Sequence, residues 1–115
     1  MDAEIEQLIE DARFDFTMDD YAEALEKLDR VIAQDAGCFD AWHTKSEIHY
    51  AQKQYAEALE AAQKAHAICP DDLHINTSLS RIWLECGSKE QAEHFGAKAR
   101  MLGWKDQLKQ APGEE

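Results

Sequence analysis

A period of 34 residues runs through the sequence and restricts its fold more than any other feature. Three columns of small or apolar residues stay in register under this shift: Ala24, Ala58 and Ala92; Ala12, Ser46 and Ser80; Val31, Ala65 and Ala99. Small residues that recur at one position indicate close approach of two helices, because a larger side chain would force them apart. A period of this length is typical of proteins built from stacked, similar units. The sequence therefore predicts three stacked units.

Each unit has the pattern of two helices joined by a tight turn. In the first unit, Leu8, Ala12 and Phe16 follow helical spacing, and Ala24 and Leu28 resume it after a break at 18–20. The other two units repeat this arrangement. We therefore predict six helices, over residues 5–18, 21–34, 39–52, 55–68, 73–86 and 89–102.

Local signals mark several of the helix ends. Asp20 and Ser88 each stand three residues before a Glu or Gln, which is the pattern of a capping box at a helix N-terminus. Pro70 cannot continue a helix, and Gly87 is suited to a turn between two helices. These signals agree with the bounds that the apolar spacing predicts.

The middle unit resembles the tetratricopeptide repeat (TPR). Trp42 stands at the tryptophan of the family signature, Ser46 at its glycine, Ala58 and Ala65 at its alanines, and Pro70 at its closing proline. The resemblance implies an all-α fold, a right-handed superhelical α-solenoid of three helix-turn-helix hairpins. It also implies a single domain over 1–110, with repeats at about 5–38, 39–72 and 73–106.

The same resemblance implies a site. In this family the first helices of the hairpins line a concave groove that takes up a peptide or a helical segment of another protein. The family's groove positions correspond here to Ile9, Arg13, Phe16, Asp40, His43, Thr44, Glu47, Tyr50, His74, Thr77, Ser78, Arg81 and Leu84. Aromatic residues and Arg often carry interface energy. We therefore expect a protein-binding module whose ligand combines apolar side chains with Lys or Arg.

One class of TPR ligand is not expected. The members that bind chaperones hold a C-terminal carboxylate with two Lys, an Arg and two Asn. The corresponding residues here are Ile9, Arg13, Thr44, His74 and Ser78, of which only Arg13 is a fixed cation. We therefore predict that the groove does not bind a peptide ending in EEVD.

The charge excludes another class of partner. The chain has 115 residues and a formal net charge of −12, and 12 of its acids lie within residues 1–38. Nucleic acid is held by clustered Lys and Arg, so we expect no nucleic-acid binding. No apolar run approaches the roughly 20 residues of a membrane span, and the N-terminal residues are acidic where a secretory signal is basic. We expect a cytoplasmic protein that does not associate with membranes.

Catalytic motifs are not found in the sequence. It has no Gly-rich phosphate loop, no HExxH and no recognisable nucleophile motif. Its three cysteines form no CxxC pair and indicate neither a disulfide framework nor a zinc site. We predict no enzymatic activity, no cofactor and no metal.

Self-association is an alternative function. After Gly103 the sequence predicts a short capping helix over 104–110 and a tail over 111–115, which is little cover for the end of a solenoid. Two chains could then bury their C-terminal ends together as a homodimer, or this end could dock on the acidic N-terminal end of another copy. A secretion-type chaperone is a further alternative, because such proteins can have three repeats. The candidate residues for self-association are Phe95, Leu102, Trp104 and Leu108.

A polar seam between the first two units is a further hypothesis. Asp11 and Asp15 share one face of a predicted helix, and the 34-residue shift pairs them with Lys45 and His49. The seam would place acids on the first helix opposite bases on the third. The alternative is that these four side chains extend into solvent.

Overall fold

Six helices make up a computed structural model of the chain, which describes residues 2–110. The predicted tail, 111–115, lies outside the described residues. The helices pair into three hairpins, and each hairpin packs against the one before it, which is the predicted all-α solenoid of helix-turn-helix hairpins. Their bounds are α1 Ala3–Thr17, α2 Tyr21–Gln34, α3 Phe39–Ala51, α4 Tyr55–Ile68, α5 Leu73–Glu85 and α6 Lys89–Gln110.

The three hairpin turns repeat the same backbone conformation. Asp19, Lys53 and Gly87 stand 34 residues apart and have φ of 64°, 62° and 88°. The residue after each of them donates its N–H to a carbonyl five residues back, at 2.8 to 3.0 Å. This bond closes the end of the first helix of each hairpin. The turn predicted at Gly87 is therefore confirmed, and it is the turn whose residue has no Cβ to strain the left-handed conformation.

The prediction of two capping boxes is only partly correct. The side chain of Asp20 makes no capping hydrogen bond, so the box predicted at the start of α2 is wrong. Ser88 Oγ accepts from the Gln91 N–H at a long 3.4 Å. The carboxylates that do cap helices are those of Asp2 on α1 and Asp72 on α5.

The prediction of a separate C-terminal capping helix is also wrong, because α6 continues through Gly103 to Gln110. A glycine ends a helix when it adopts a left-handed φ, and among the described glycines only Gly87 does so. Within a helix a glycine costs about 1 kcal/mol relative to alanine, which good helix formers on either side can offset. The last two turns of α6 therefore extend the third hairpin.

Two buried clusters hold the hairpins together, one at each junction. Ile48 of α3 lies in the first cluster with Ala24 and Leu28 of α2. Ile82 of α5 lies in the second cluster with Ala58 of α4, together with the Ala residues one and two turns further along α4. Burial of these apolar side chains supplies most of the free energy of association between hairpins.

The predicted seam between α1 and α3 does not form through Lys45. Its Nζ lies 2.9 Å from Asp29 Oδ1 on α2, while Asp11 accepts a hydrogen bond from Gln7 within α1. The reason is geometric, since α3 packs against the preceding hairpin mainly through α2 and only lightly through α1. A base on α3 therefore reaches the second helix of the preceding hairpin.

The second predicted pair of the seam is wrong for the same reason. Asp15 accepts a hydrogen bond from Lys27 inside the first hairpin, and both side chains are largely buried. This hydrogen bond raises the pKa of Lys27, although partial burial acts in the opposite direction. His49 Nδ1 lies 2.7 Å from Gln54 Oε1 within the second hairpin.

Candidate peptide-binding groove

Five of the predicted groove residues surround one cavity of about 210 Å³. They come from the first helices of all three hairpins: Phe16 from α1, Glu47 and Tyr50 from α3, and Ser78 and Arg81 from α5. The 34-residue register brings them together, because equivalent positions of successive first helices lie side by side. We call this feature the groove cavity.

Three further residues line the groove cavity and were missed from the sequence. Ser46, Ala51 and Ile82 each stand one residue before or after a predicted groove residue. Helical spacing could have predicted Ala51, since residues four apart share a face and Ala51 follows Glu47 by four. Ala51 is exposed, and Ile82 belongs to the core beneath the cavity.

The two aromatic residues of the cavity are partly engaged by the fold. Phe16 lies 6.0 Å from the ring of Tyr21, and Tyr50 lies 5.6 Å from the ring of Tyr55 in an edge-on arrangement. Both are half-buried. One part of each ring therefore packs against the second helix of its own hairpin, and another part lines the groove cavity.

Polar contacts connect the walls of the groove. His43 Nε2 lies 3.3 Å from Ser78 Oγ and 3.7 Å from Glu47 Oε2, so it lies between α3 and α5. Arg13 lies 3.8 Å from Asp40, which links α1 to α3. The charge of Arg13 is therefore partly balanced inside the groove, while half of the Glu47 side chain faces solvent.

Eight predicted residues do not line this cavity: Arg13, Asp40 and His43, whose contacts are given above, and five others. Ile9 and Thr44 expose only 4% and 2% of their surface, so a ligand cannot reach them in this structure. Thr77 donates its hydroxyl to a carbonyl of its own helix at 3.1 Å. His74 and Leu84 line two other cavities at the C-terminal end of the molecule. Ile9 and Thr44 are therefore not carried into the proposed site.

The residues predicted for self-association have different environments. Phe95 is half-buried, with its ring edge-on to that of His66 at 5.6 Å. Leu102 is half-buried and lines a cavity of about 450 Å³ between the start of α5 and the end of α6. Trp104 and Leu108 are exposed on the last two turns of α6. Only the last two present a large apolar surface to solvent.

Membrane spans and metal sites are not found in residues 2–110. In that range no helix has both the length and the apolar character needed to cross a membrane. Nor does any group of three or more His, Cys, Asp or Glu side chains there have an arrangement suited to a metal ion. Cys38 is buried, Cys69 is half-buried and Cys86 is exposed, and all three are free thiols.

The comparison with protein families identifies the central hairpin. Residues 39–72 match the family model described as the tetratricopeptide repeat. No curated protein matches the chain in sequence.

Solved structures with the same fold include proteins of several kinds. MamA matches with a TM-score of 0.84 at 21% identity, over 90% of this chain and 61% of the MamA chain. The type III secretion translocator chaperone SycD of Yersinia enterocolitica matches with a TM-score of 0.83 at 16% identity, over 97% of this chain and 81% of that chain. The second TPR of Spaghetti (RPAP3), bound to the HSP90 peptide SRMEEVD, matches with a TM-score of 0.83 at 15% identity, over 87% of this chain and 93% of that chain.

These similarities show the fold. The chain spans about three fifths of the length of the MamA structures that it matches, and all of these identities are below a quarter.

Proposed function

We propose that this tetratricopeptide-repeat protein is a protein-interaction module, which binds a peptide or helical segment of a partner in the groove cavity. The observation that carries the proposal is the convergence of residues from α1, α3 and α5 on one cavity. A cavity of about 210 Å³ is several times the roughly 30 Å³ of a water molecule, so it has the scale of a side chain. The proposed role is binding and not catalysis.

The wall of the cavity favours an apolar anchor on the ligand. Phe16, Tyr50 and Ala51 supply carbon surface to it. An apolar side chain that leaves water for such a surface gains roughly 25 cal/mol for each Å² buried. We therefore expect a Leu, Met or aromatic side chain of the ligand to occupy the cavity.

The charges beside the cavity favour a basic residue next to that anchor. Glu47 lies on the cavity wall with half of its side chain in solvent, and Asp40 lies further along the same helix. Arg81, on the opposite wall, would repel a base, so the two walls together orient the ligand. The acidic first hairpin adds a long-range attraction for a basic segment.

The solved relatives support the same class of function. The Spaghetti domain is bound to a peptide, SycD is a secretion translocator chaperone, and a CopN–Scc3 complex has a chain of the same fold. The SycD match covers almost all of this chain, which favours a secretion-type chaperone as a second candidate. Either role is that of a protein with a protein partner.

A random peptide library selected against the full chain tests the proposal. We expect enriched peptides to combine one large apolar residue with a neighbouring Lys or Arg. Ala51→Trp fills the cavity from an exposed position and should weaken their binding about tenfold or more, which is the scale of a hot-spot contact. Ala67→Trp is the matched control, because Ala67 is exposed near the end of α4 and does not line the cavity.

Two results would refute the groove as the site. One is equal binding of the selected peptides by wild type and Ala51→Trp. The other is an equal loss in Ala51→Trp and Ala67→Trp, with both variants folded by circular dichroism.

A further inference from the structure

Phe14 is the exposed member of a column whose other two members are buried. It exposes 64% of its surface, whereas Ile48 and Ile82, one and two periods later, expose 0% and 1%. The column marks the face with which a first helix packs against the hairpin before it. On α1 this face is open in the structure, with an aromatic side chain on it.

The junction that buries this column is built twice inside the molecule. Ile48 is buried with Ala24 and Leu28 of the first hairpin. Ile82 is buried with Ala58 and Ala62 of the second hairpin, which are the same two positions one period later. The chain thus contains two examples of one interface, with the same register in each.

Within residues 2–110, nothing occupies the receiving half of this interface on the third hairpin. The next residues in the two receiving columns are Ala92 and Gly96, and they line an open cavity of about 560 Å³ between α5 and α6. The rest of this wall consists of Ser80, Leu84, Lys89, Glu93, Ala97 and Arg100. We call it the terminal face.

We propose that the terminal face binds α1 of a second copy of this chain, head to tail, with Phe14 over Ala92 and Gly96. The sizes of the paired residues support this occupant. Ile48 shares the first cluster with Leu28, and Ile82 shares the second with the smaller Ala62. In the proposed junction the smallest residue, Gly96, meets the largest, Phe14, so that close packing is kept.

Charge also favours a second copy. In the first junction Lys45 of α3 reaches Asp29 of α2. The residue equivalent to Lys45 on α1 is Asp11, and the one equivalent to Asp29 on α6 is Ala97, one turn before Arg100. In the proposed junction the acid, Asp11, therefore lies on the first helix and the base, Arg100, on the second. This is the reverse of the Lys45–Asp29 pair in the first junction.

The overall charge of the two ends agrees with this pairing. Residues 1–38 have 12 acids and 3 bases, whereas residues 73–115 have 6 of each. An acidic end that meets a neutral one avoids the repulsion between two acidic ends.

This interface is heterologous, because the two surfaces that meet are different. Such contacts continue from copy to copy and give open chains or closed rings. The average mass of the protein should therefore rise with concentration and pass that of two chains, as sedimentation equilibrium from about 10 μM to about 1 mM would measure.

Variants at exposed positions separate the two halves of the interface. Phe14→Asp disrupts the face of α1 that carries Phe14, and Ala97→Glu with Arg100→Glu reverses the charge of the terminal face. Position 96 is avoided, since a Cβ there would lie 3.1 Å from Ser80 Oγ inside the hairpin. Each variant alone should weaken self-association about tenfold or more. A mixture of the two should form a dimer that stops at two chains, because each variant keeps one intact face.

Trp104→Ser is the matched control, because Trp104 also exposes 64% of its surface and lies outside both faces. We expect it to associate as wild type does. A wild-type chain that stays monomeric over the whole range would overturn the proposal and leave the terminal face to another kind of partner. Association that survives in Phe14→Asp and is lost in Trp104→Ser would overturn it in favour of a symmetric C-terminal dimer.

Discussion

The side-chain amide of Asn76 donates a hydrogen bond to the backbone carbonyl of Pro70, with 3.0 Å between Nδ2 and the carbonyl oxygen. The same Nδ2 donates to the Asp72 carbonyl at 2.7 Å. Asn76 is fully buried in α5, and both carbonyls belong to the loop that joins the second hairpin to the third. One buried side chain therefore fixes the loop between two repeats.

Asn76→Ala should lower the free energy of unfolding by about 1–3 kcal/mol, because it leaves two carbonyls without this donor. Urea unfolding followed by circular dichroism measures the change. Asn76→Asp keeps the shape and replaces the donor with an oxygen, so it should be at least as destabilising. Stability equal to wild type in both variants would show that the loop does not depend on Asn76.

A double-mutant cycle tests which helix holds Lys45. Lys45→Ala and Asp29→Ala should show a coupling of about 0.2–1 kcal/mol, the range of a surface ion pair, since Asp29 is exposed although Lys45 is partly buried. Lys45→Ala and Asp11→Ala should show none. The opposite pattern would restore the seam between α1 and α3.

Most helix bounds could be predicted because each hairpin carries its own apolar spacing and turn. The end of α6 could not, since the sequence shows a glycine but not its φ. Gly87 and Gly103 look alike in sequence, and only the former adopts the left-handed conformation that ends a helix. The direction of Lys45 could not be predicted either, because the 34-residue shift identifies equivalent positions and not which neighbouring helix a side chain faces.

The stability of the chain should fall as the pH drops below about 6.5. Burial lowers the pKa of His66 from 6.5, and the nearby charge of Lys98 lowers it further, against a smaller opposing effect of Asp71. Below pH 6.5 the unfolded chain then binds a proton that the folded chain does not, so the free energy of unfolding decreases until the pH passes the folded pKa.

Urea unfolding at about pH 7.5 and about pH 5.5 measures this effect. His66→Gln should reduce the difference in stability between the two pH values, whatever its effect at either one. His74→Gln is the control, because His74 is exposed and is not among the groups that shift the pKa of His66. An unchanged pH dependence in His66→Gln would contradict the prediction.

A peptide ending in EEVD should not bind through its carboxylate. The one fixed cation among the equivalent clamp positions, Arg13, lies 3.8 Å from Asp40, and Ile9 and Thr44 are buried. Fluorescence anisotropy with SRMEEVD as free acid and as C-terminal amide measures the contribution of the carboxylate. Tighter binding of the free acid would prove the prediction wrong.

The helices that line the cavity were predicted better than the individual residues. The family register identified the first helices and the column of Phe16 and Tyr50, which share one cavity in the structure. It did not indicate which members of a column of equivalent residues are buried. Thr44 and Ser78 are equivalent, yet Thr44 is buried and Ser78 is half-buried. Thr44 lies on α3, which has a hairpin on each side, and that packing depends on the assembled fold.

The last prediction concerns the charge of the groove. Glu47→Lys should slow the association of a basic, apolar peptide several-fold at low salt and leave its dissociation rate nearly unchanged. Charges at the rim of a site act on the encounter, whereas buried anchors act on dissociation. The difference in association rate should vanish near 1 M salt, where the screening length is about 3 Å.

Glu60→Lys is the matched control for that prediction. It changes the net charge of the protein by the same amount from an exposed position on α4, which does not line the groove cavity. Stopped-flow fluorescence at several salt concentrations separates the two variants. If both slow association equally, the overall charge attracts the peptide and Glu47 has no local role. If only Glu47→Lys does so, the attraction originates at the cavity wall, where the peptide binds.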